Sequence, residues 1–151
     1  MNTKGIRTIT NIIAFSILAL FIVYLIMEWN NIPNVVATHF GISGKADAFG
    51  DKGSLIVIPV IAVIVCIVLA IVECFPQVWN LPVKVTEENS ERLISDGLIM
   101  IGVLKILIAS LFTYIGICAM NGWEIAWPMF ILLGFIVIDI IIGIIKMIKD
   151  R

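Results

Sequence analysis

Four apolar runs of membrane-spanning length fill most of this chain and leave it little else to fold into. Residues 8–27 carry no charge, and neither do residues 54–72. Residues 98–120 carry a single charge, Lys105, and residues 125–145 a single charge, Asp139. A helix rises about 1.5 Å per residue, so each run covers a hydrocarbon core of roughly 30 Å. With 61% hydrophobic residues among 151, there is little room for a soluble domain. The expectation is an all-α membrane protein with one integral domain over residues 1–151. It is read as a four-transmembrane-helix antiparallel bundle with a structured extracytoplasmic loop, residues 28–53, between helices one and two, and an inner loop, residues 73–97.

The N-terminal run follows Lys4 and Arg7, as a signal peptide would. It is too long for a signal core and no small-residue cleavage pattern follows it, so it is expected to stay as the first span. Basic residues set orientation, because Lys and Arg in short flanks stay on the cytoplasmic side. With both termini inside, seven basic residues lie inside and two outside, Lys45 and Lys52. The reading is a multi-pass protein of the cell membrane with cytoplasmic N- and C-termini. Tyr24, Trp29, Trp123 and Trp127 mark the outer interface and Trp79 the inner one, where amphipathic rings are favoured.

Several function classes drop out. A net charge of −1 gives no basic footprint for direct nucleic-acid binding. Cys66, Cys74 and Cys118 show no metal-ligand spacing and read as small packing residues. No catalytic constellation is present: the sole histidine, His39, lies in the outer loop, away from any serine or cysteine nucleophile. No phosphate-binding or dinucleotide motif occurs. Asp47 and Asp51 are the only acidic groups near His39, too few to define a metal site. The expectation is no enzyme, no cofactor and no metal.

Three groups of residues remain as candidates. The first is the outer loop. Val35 to Phe40 favours extended backbone, Gly41, Gly44 and Gly50 are turn residues, and residues 43–47 form a tight turn. A compact cap follows, with Gly44 at positive φ and His39 hydrogen-bonded inside the loop. The second is the inner stretch Thr86, Glu87, Glu88 and Asn89. Thr86 is the expected N-cap of a helix running from Glu87 to about Met120, and Asn89 stands where a capping box has Glu or Gln. Its carboxylates either solvate a helix start or dock a cytoplasmic partner. The third is Lys105 and Asp139. Ionisable groups in a bilayer are costly and seek partners. They fall at similar depth on helices joined by a short turn, with Asn11 nearby, so they are expected to contact each other. The pair then either fixes helix register or acts as a switch.

The loop residues Pro33, Thr38, His39, Phe40, Gly41, Gly44, Lys45, Asp47, Phe49, Gly50 and Lys52 resemble the signature of the SdpI-like bacterial membrane proteins. The stretch Thr86, Glu87, Glu88 and Asn89 resembles that family's second motif. The resemblance covers residues of about 28–120. Phe49 stands where Trp or Tyr is frequent, and Gly41 where Asn is frequent. The resemblance implies the family's N-terminal module, a domain of unknown function, without the additional C-terminal spans of larger members. It implies immunity to, or sensing of, a membrane-active toxin. The partners would be the lipid bilayer, a secreted peptide toxin at the outer loop, and a cytoplasmic regulator at the inner motif. The alternative class is a small transporter or an accessory subunit of a transport complex.

Overall fold

A computed structural model describes residues 3–149; Arg151, one of the seven basic residues assigned to the inner side, lies outside this range. The chain is mostly helical, and four helices are long and apolar enough to cross a membrane. They are α1 (Thr3–Glu28), α2 (Val57–Val72), α3 (Ser90–Asn121) and α4 (Ala126–Lys149). Between α1 and α2 lie the strands β1 (Val35–Phe40) and β2 (Ala46–Asp51), followed by a 3-10 turn over Lys52–Ile56.

The helices do not share their burial equally. α1 and α2 pack against each other and against α3, while α4 makes its main contact with α3 alone. Where α1, α2 and α3 meet, Ala14, Ala62, Cys66 and Ala109 are fully buried around Leu18. Small side chains let helix backbones approach closely, which is how helices gain contact in lipid, where no hydrophobic drive exists between them. α2 supplies Ala62 and Cys66 to this contact, four residues apart and so on one face of the helix. α1 and α3 also meet where Thr10 lies over Gly102; a Cβ there would sit 2.6 Å from the Thr10 methyl. α4 presents most of its apolar surface outward and rests on α3 through Gly143 and Met147, with Gly143 against Met100.

α2 begins three residues later than the apolar run suggests. The chain enters it through the 3-10 turn, whose end is closed by the Val57 N–H donating to the Ser54 and Leu55 carbonyls. Pro59 therefore sits within the first turn of α2, where its missing N–H costs little. α3 begins as a regular helix at Ser90 instead of Glu87, but the expected cap is formed. The Thr86 N–H donates to Asn89 Oδ1 (2.8 Å) and the Asn89 N–H to Thr86 Oγ1 (3.3 Å). These are the reciprocal bonds of a capping box, with the shorter Asn in the acceptor position. The turn also delays regular hydrogen bonding by three residues, which displaces the helix start.

The cap is an antiparallel hairpin, and its register runs Val35 opposite Asp51, Val36 opposite Gly50 and Ala37 opposite Phe49. Pairing then slips twice: His39 faces Ala48 and Phe40 faces Ala46. Thr38 and Asp47 are thus the extra residues, one in each strand. At the tip, the Gly41 N–H donates to the Lys45 carbonyl and the Gly44 N–H to the Gly41 carbonyl, both at 2.9 Å. Gly44 has φ of +81°. Its carbonyl accepts from the Ile125 N–H at 2.9 Å, fastening the tip to the turn between α3 and α4. Beneath the hairpin, Phe21, Leu25, Ile32, Val36, Leu55 and Met120 form a buried cluster.

Gly44 and Gly122 separate backbone strain from a steric clash. Both have positive φ, but a Cβ on Gly44 would lie 2.6 Å from the Ala126 nitrogen, whereas one on Gly122 meets nothing within 4 Å. Gly122→Ala is expected to cost about 1–2 kcal/mol, the left-handed penalty alone. Gly44→Ala should cost clearly more and release the hairpin tip. Thermal denaturation of the detergent-solubilised variants, with amide exchange at residues 41–46, tests the order; equal losses would show that the tip is not docked.

Candidate functional site: a buried polar triad and a hairpin

Lys105 is the largest fully buried side chain in the described structure, with no exposed surface. It does not meet Asp139. Its Nζ donates to Glu73 Oε1 at 2.7 Å and to Asn11 Oδ1 at 2.5 Å. The expected Lys105–Asp139 contact is thereby corrected, and geometry supplies the reason. Asp96 and Met100 mark the face of α3 that meets α4, because Asp96 binds Lys146 and Met100 lies on Gly143. At about 100° per residue, Lys105 lies roughly on the opposite face from Asp96, toward α1 and α2. Asp139 lies on the other side of α3, half-buried, with Oδ2 lacking a hydrogen-bond partner.

Depth explains why Glu73 is the partner. Sixteen residues separate Lys105 from the hairpin end of α3 at Asn121, and sixteen separate Glu73 from the start of α2 at Val57. Asn11 lies seventeen residues from the end of α1 at Glu28. At about 1.5 Å per residue the three groups reach the same level, roughly 24 Å from the hairpin end. Glu73 stands just past the last residue of α2 and is 1% exposed. Its backbone carbonyl accepts from Arg7 at 3.4 Å, so α1 also closes over the end of α2. Glu73 Oε2 is buried and has no partner. The sequence carried one signal for this: Glu73 is the sole charged residue between Lys52 and Lys84. As the boundary of an apolar run, it reads in the sequence as a loop residue. Asp96, also within the loop expected over residues 73–97, is 5% exposed and binds Lys146 Nζ at 2.7 Å.

The hairpin gathers most of the candidates from the loop of residues 28–53. His39 Nδ1 and Asp47 Oδ1 lie 2.5 Å apart across the strands, both side chains more than half exposed. Asp47 is the extra residue of β2, between the paired Ala46 and Ala48. Lys45 Nζ lies 3.9 Å from Glu124 of the turn between α3 and α4, with both side chains in the open. Lys52 donates to the Trp29 carbonyl at 3.2 Å and lies 5.3 Å from the centre of the Trp29 ring. Phe40 packs against the buried cluster, while Phe49, Pro33 and Ile42 are exposed. Gly50 lies against Thr38, where a Cβ would come within 2.9 Å of its methyl. The Thr86–Asn89 motif lies apart from all of these. Glu87 and Glu88 are exposed there, and Asn89 is buried, its side-chain amide donating to the Lys84 carbonyl at 3.1 Å.

Trp79 has a packing role as well as an interfacial one. Its indole N–H donates to the Val72 carbonyl at 2.8 Å, and its ring lies on Gly97. Among the described residues, no group of three or more His, Cys, Asp and Glu side chains is placed to hold a metal ion.

Comparison with known proteins is consistent with the hairpin as the characteristic part of the chain. Residues 16–63 match the domain of unknown function DUF1648. That segment runs from the middle of α1 through the whole hairpin into α2. The chain is also 31% identical over 80 residues to an uncharacterized protein of Archaeoglobus fulgidus, covering 48% of this chain and 42% of the relative. It thus spans less than half the length of that relative. No solved structure matches.

The buried triad makes a quantitative demand. Removing one member of a buried ion pair strands the other charge and typically costs 3–5 kcal/mol, by about the usual measure, while removing both costs less. Lys105→Met and Glu73→Leu should each destabilise the protein strongly, and the double variant should recover part of the loss. Asp139→Leu combined with Lys105→Met should be additive. Thermal melts of the six proteins in one detergent decide the matter; recovery in the Asp139 pair and not in the Glu73 pair would overturn this assignment.

Proposed function

We propose that this protein is a non-enzymatic membrane protein of the SdpI-like type that protects against, or senses, a membrane-active peptide. In this reading the four helices form an antiparallel assembly in the cell membrane, with both termini cytoplasmic and the hairpin outside. The observation that carries it is the hairpin. It is fixed at its tip, by Gly44 on Ile125, and at its base, by Lys52 on Trp29, yet it presents Val35, Ile42 and Phe49 outward beside Lys45 and the His39–Asp47 pair. Ile42 is 93% exposed and Phe49 64%. Apolar side chains held on a rigid scaffold beside charges of both signs suit an amphipathic peptide, and preorganisation reduces the ordering cost of binding.

The inner motif offers a second surface. Glu87, Glu88 and Glu91 are exposed on one short stretch, which suits a basic face of a cytoplasmic regulator. The buried Glu73–Lys105 pair favours the alternative class, an ion-coupled transporter or its accessory subunit, since charges at membrane depth commonly mark ion pathways. A transporter requires water to reach that level; protection at the hairpin does not.

Two experiments test the proposal. Ser43→Cys and Ser90→Cys, in a background with Cys74→Ser, are expected to label oppositely, Ser43→Cys from outside intact cells and Ser90→Cys only after permeabilisation. The reverse pattern overturns the orientation. Deletion of the gene should sensitise cells to membrane-active peptides, and the wild-type chain should restore protection. A variant carrying Ile42→Ser and Phe49→Ser should insert and melt normally, because both positions are exposed, yet fail to protect. Undiminished protection by this variant would remove the hairpin from the function.

A further inference from the structure

We infer that the hairpin tip is a latch on α4: it holds the start of that helix in a strained backbone, and its release lets α4 shift on α3 and loosens the Asp96–Lys146 pair at the far end. This rests on the sensing reading only for what engages the hairpin; the latch itself is a property of the fold. Ala126, the first residue of α4, has φ of +31°. Among the described residues no other non-glycine residue has positive φ. A residue with a Cβ gains nothing from that conformation and stays in it only where its surroundings hold it.

The hold is on Ile125, which is 3% exposed. Its N–H donates to the Gly44 carbonyl at 2.9 Å, and its carbonyl accepts from the Tyr114 hydroxyl at 2.9 Å. Both peptide planes of Ile125 are thereby pinned, one to the hairpin and one to α3. Gly44 also bears directly on Ala126: a Cβ on Gly44 would lie 2.6 Å from the Ala126 nitrogen and 2.9 Å from its Cα. The strain therefore sits where the hairpin touches α4, and the hairpin supplies one of the two bonds that maintain it.

α4 is placed to respond. Its inward stripe, Leu132, Ile136, Asp139, Gly143 and Met147, recurs every three or four residues and rests on α3. α2 and α4 make no comparable contact, which leaves a lateral gap between them. Within the stripe, Asp139 Oδ2 finds no hydrogen-bond partner among the described residues, so that oxygen adds no bond to α3. At the far end, Lys146 Nζ meets Asp96 Oδ1 at 2.7 Å. α1, α2 and α3 are meanwhile joined by Lys105, Glu73 and Asn11, so α4 can move without opening that core. A helix is a stiff rod, and a rotation at Ala126 is carried to Lys146, twenty residues and about 30 Å away. When the tip lifts, Ile125 loses its hairpin bond, Ala126 returns to right-handed φ and α4 is re-aimed. A molecule that binds the hairpin better with its tip lifted shifts the balance toward this released state.

Two experiments read the latch without any peptide, so their failure is distinct from a failure of the protection experiments. Spin labels go on Glu91→Cys of α3 and Lys149→Cys of α4, both exposed, in a Cys74→Ser background where Cys66 and Cys118 are buried. The parent should give one narrow distance. Gly44→Ala, which forces the tip off Ala126, should add a second distance. Tyr114→Phe, which removes the other bond on Ile125 and leaves the hairpin intact, should add the same one. Gly122→Ala, at positive φ but without a clash, should keep the first distance alone. A single unchanged distance in both Gly44→Ala and Tyr114→Phe overturns the latch. Coupling between two ends is reciprocal, so Lys146→Ala should speed amide exchange at residues 41–46 by about fivefold or more, the low end of typical coupling. Exchange around Ala14 and Ala109 should stay as in the wild type. An unchanged tip, or an equal rise throughout the protein, overturns the inference.

Discussion

A lysine with no exposed surface, placed at membrane depth, sets the terms for the rest of this structure. An ammonium group there must be neutralised by a partner at the same level, or the helix that carries it cannot stay in lipid. Three elements meet this demand together. α3 supplies Lys105, α1 supplies Asn11, and the end of α2 supplies Glu73. Their positions along the helices agree to within a residue, so the ion pair fixes the vertical register of α1, α2 and α3 against each other. The small-residue contact one to three turns away, at Ala14, Ala62, Cys66 and Ala109, is made in that same register. Packing and charge therefore select the same arrangement.

The hairpin is the second consequence of that register. Once α1 and α3 are aligned, their ends on the hairpin side bring Phe21, Leu25 and Met120 beneath the loop, and Ile32, Val36 and Leu55 complete the cluster. The hairpin therefore lies on a floor built by the helices, and its tip is bound to the turn that begins α4. α4 itself takes little part in this core. It answers to α3 through Gly143, Met147 and the Asp96–Lys146 pair, and it leaves the lateral gap on the side of α2.

Much of this was legible in the sequence, because the signals were local. Uncharged or singly charged runs mark the four helices, glycines and extended-favouring residues mark the hairpin, and Gly44 marks a turn needing positive φ. The Thr86–Asn89 cap was legible for the same reason, since its partners lie three residues apart. The partner of Lys105 was not. Two helices joined by a short turn must be neighbours, but the turn does not say which faces meet, and Lys105 points away from α4. Glu73 was hidden by the convention that the first charge after an apolar run ends the span. In this chain the charge is drawn inside by the lysine that it neutralises. Asp96 and Trp79 escaped for a related reason: their partners, Lys146 and the Val72 carbonyl, lie on other segments.

The two slips in the hairpin register cancel. Before them Ala37 faces Phe49, and after them Phe40 faces Ala46, in the same alignment as if every residue between were paired. Thr38 adds one residue to the first strand and Asp47 one to the second. The hairpin thus keeps its length at the tip, where Gly44 must reach Ile125. A lineage that loses one of these residues moves the tip off its anchor, whereas one that loses both regains a regular hairpin of the correct reach. The strands can shorten only in step, and the His39–Asp47 pair exists in the interval where they have not.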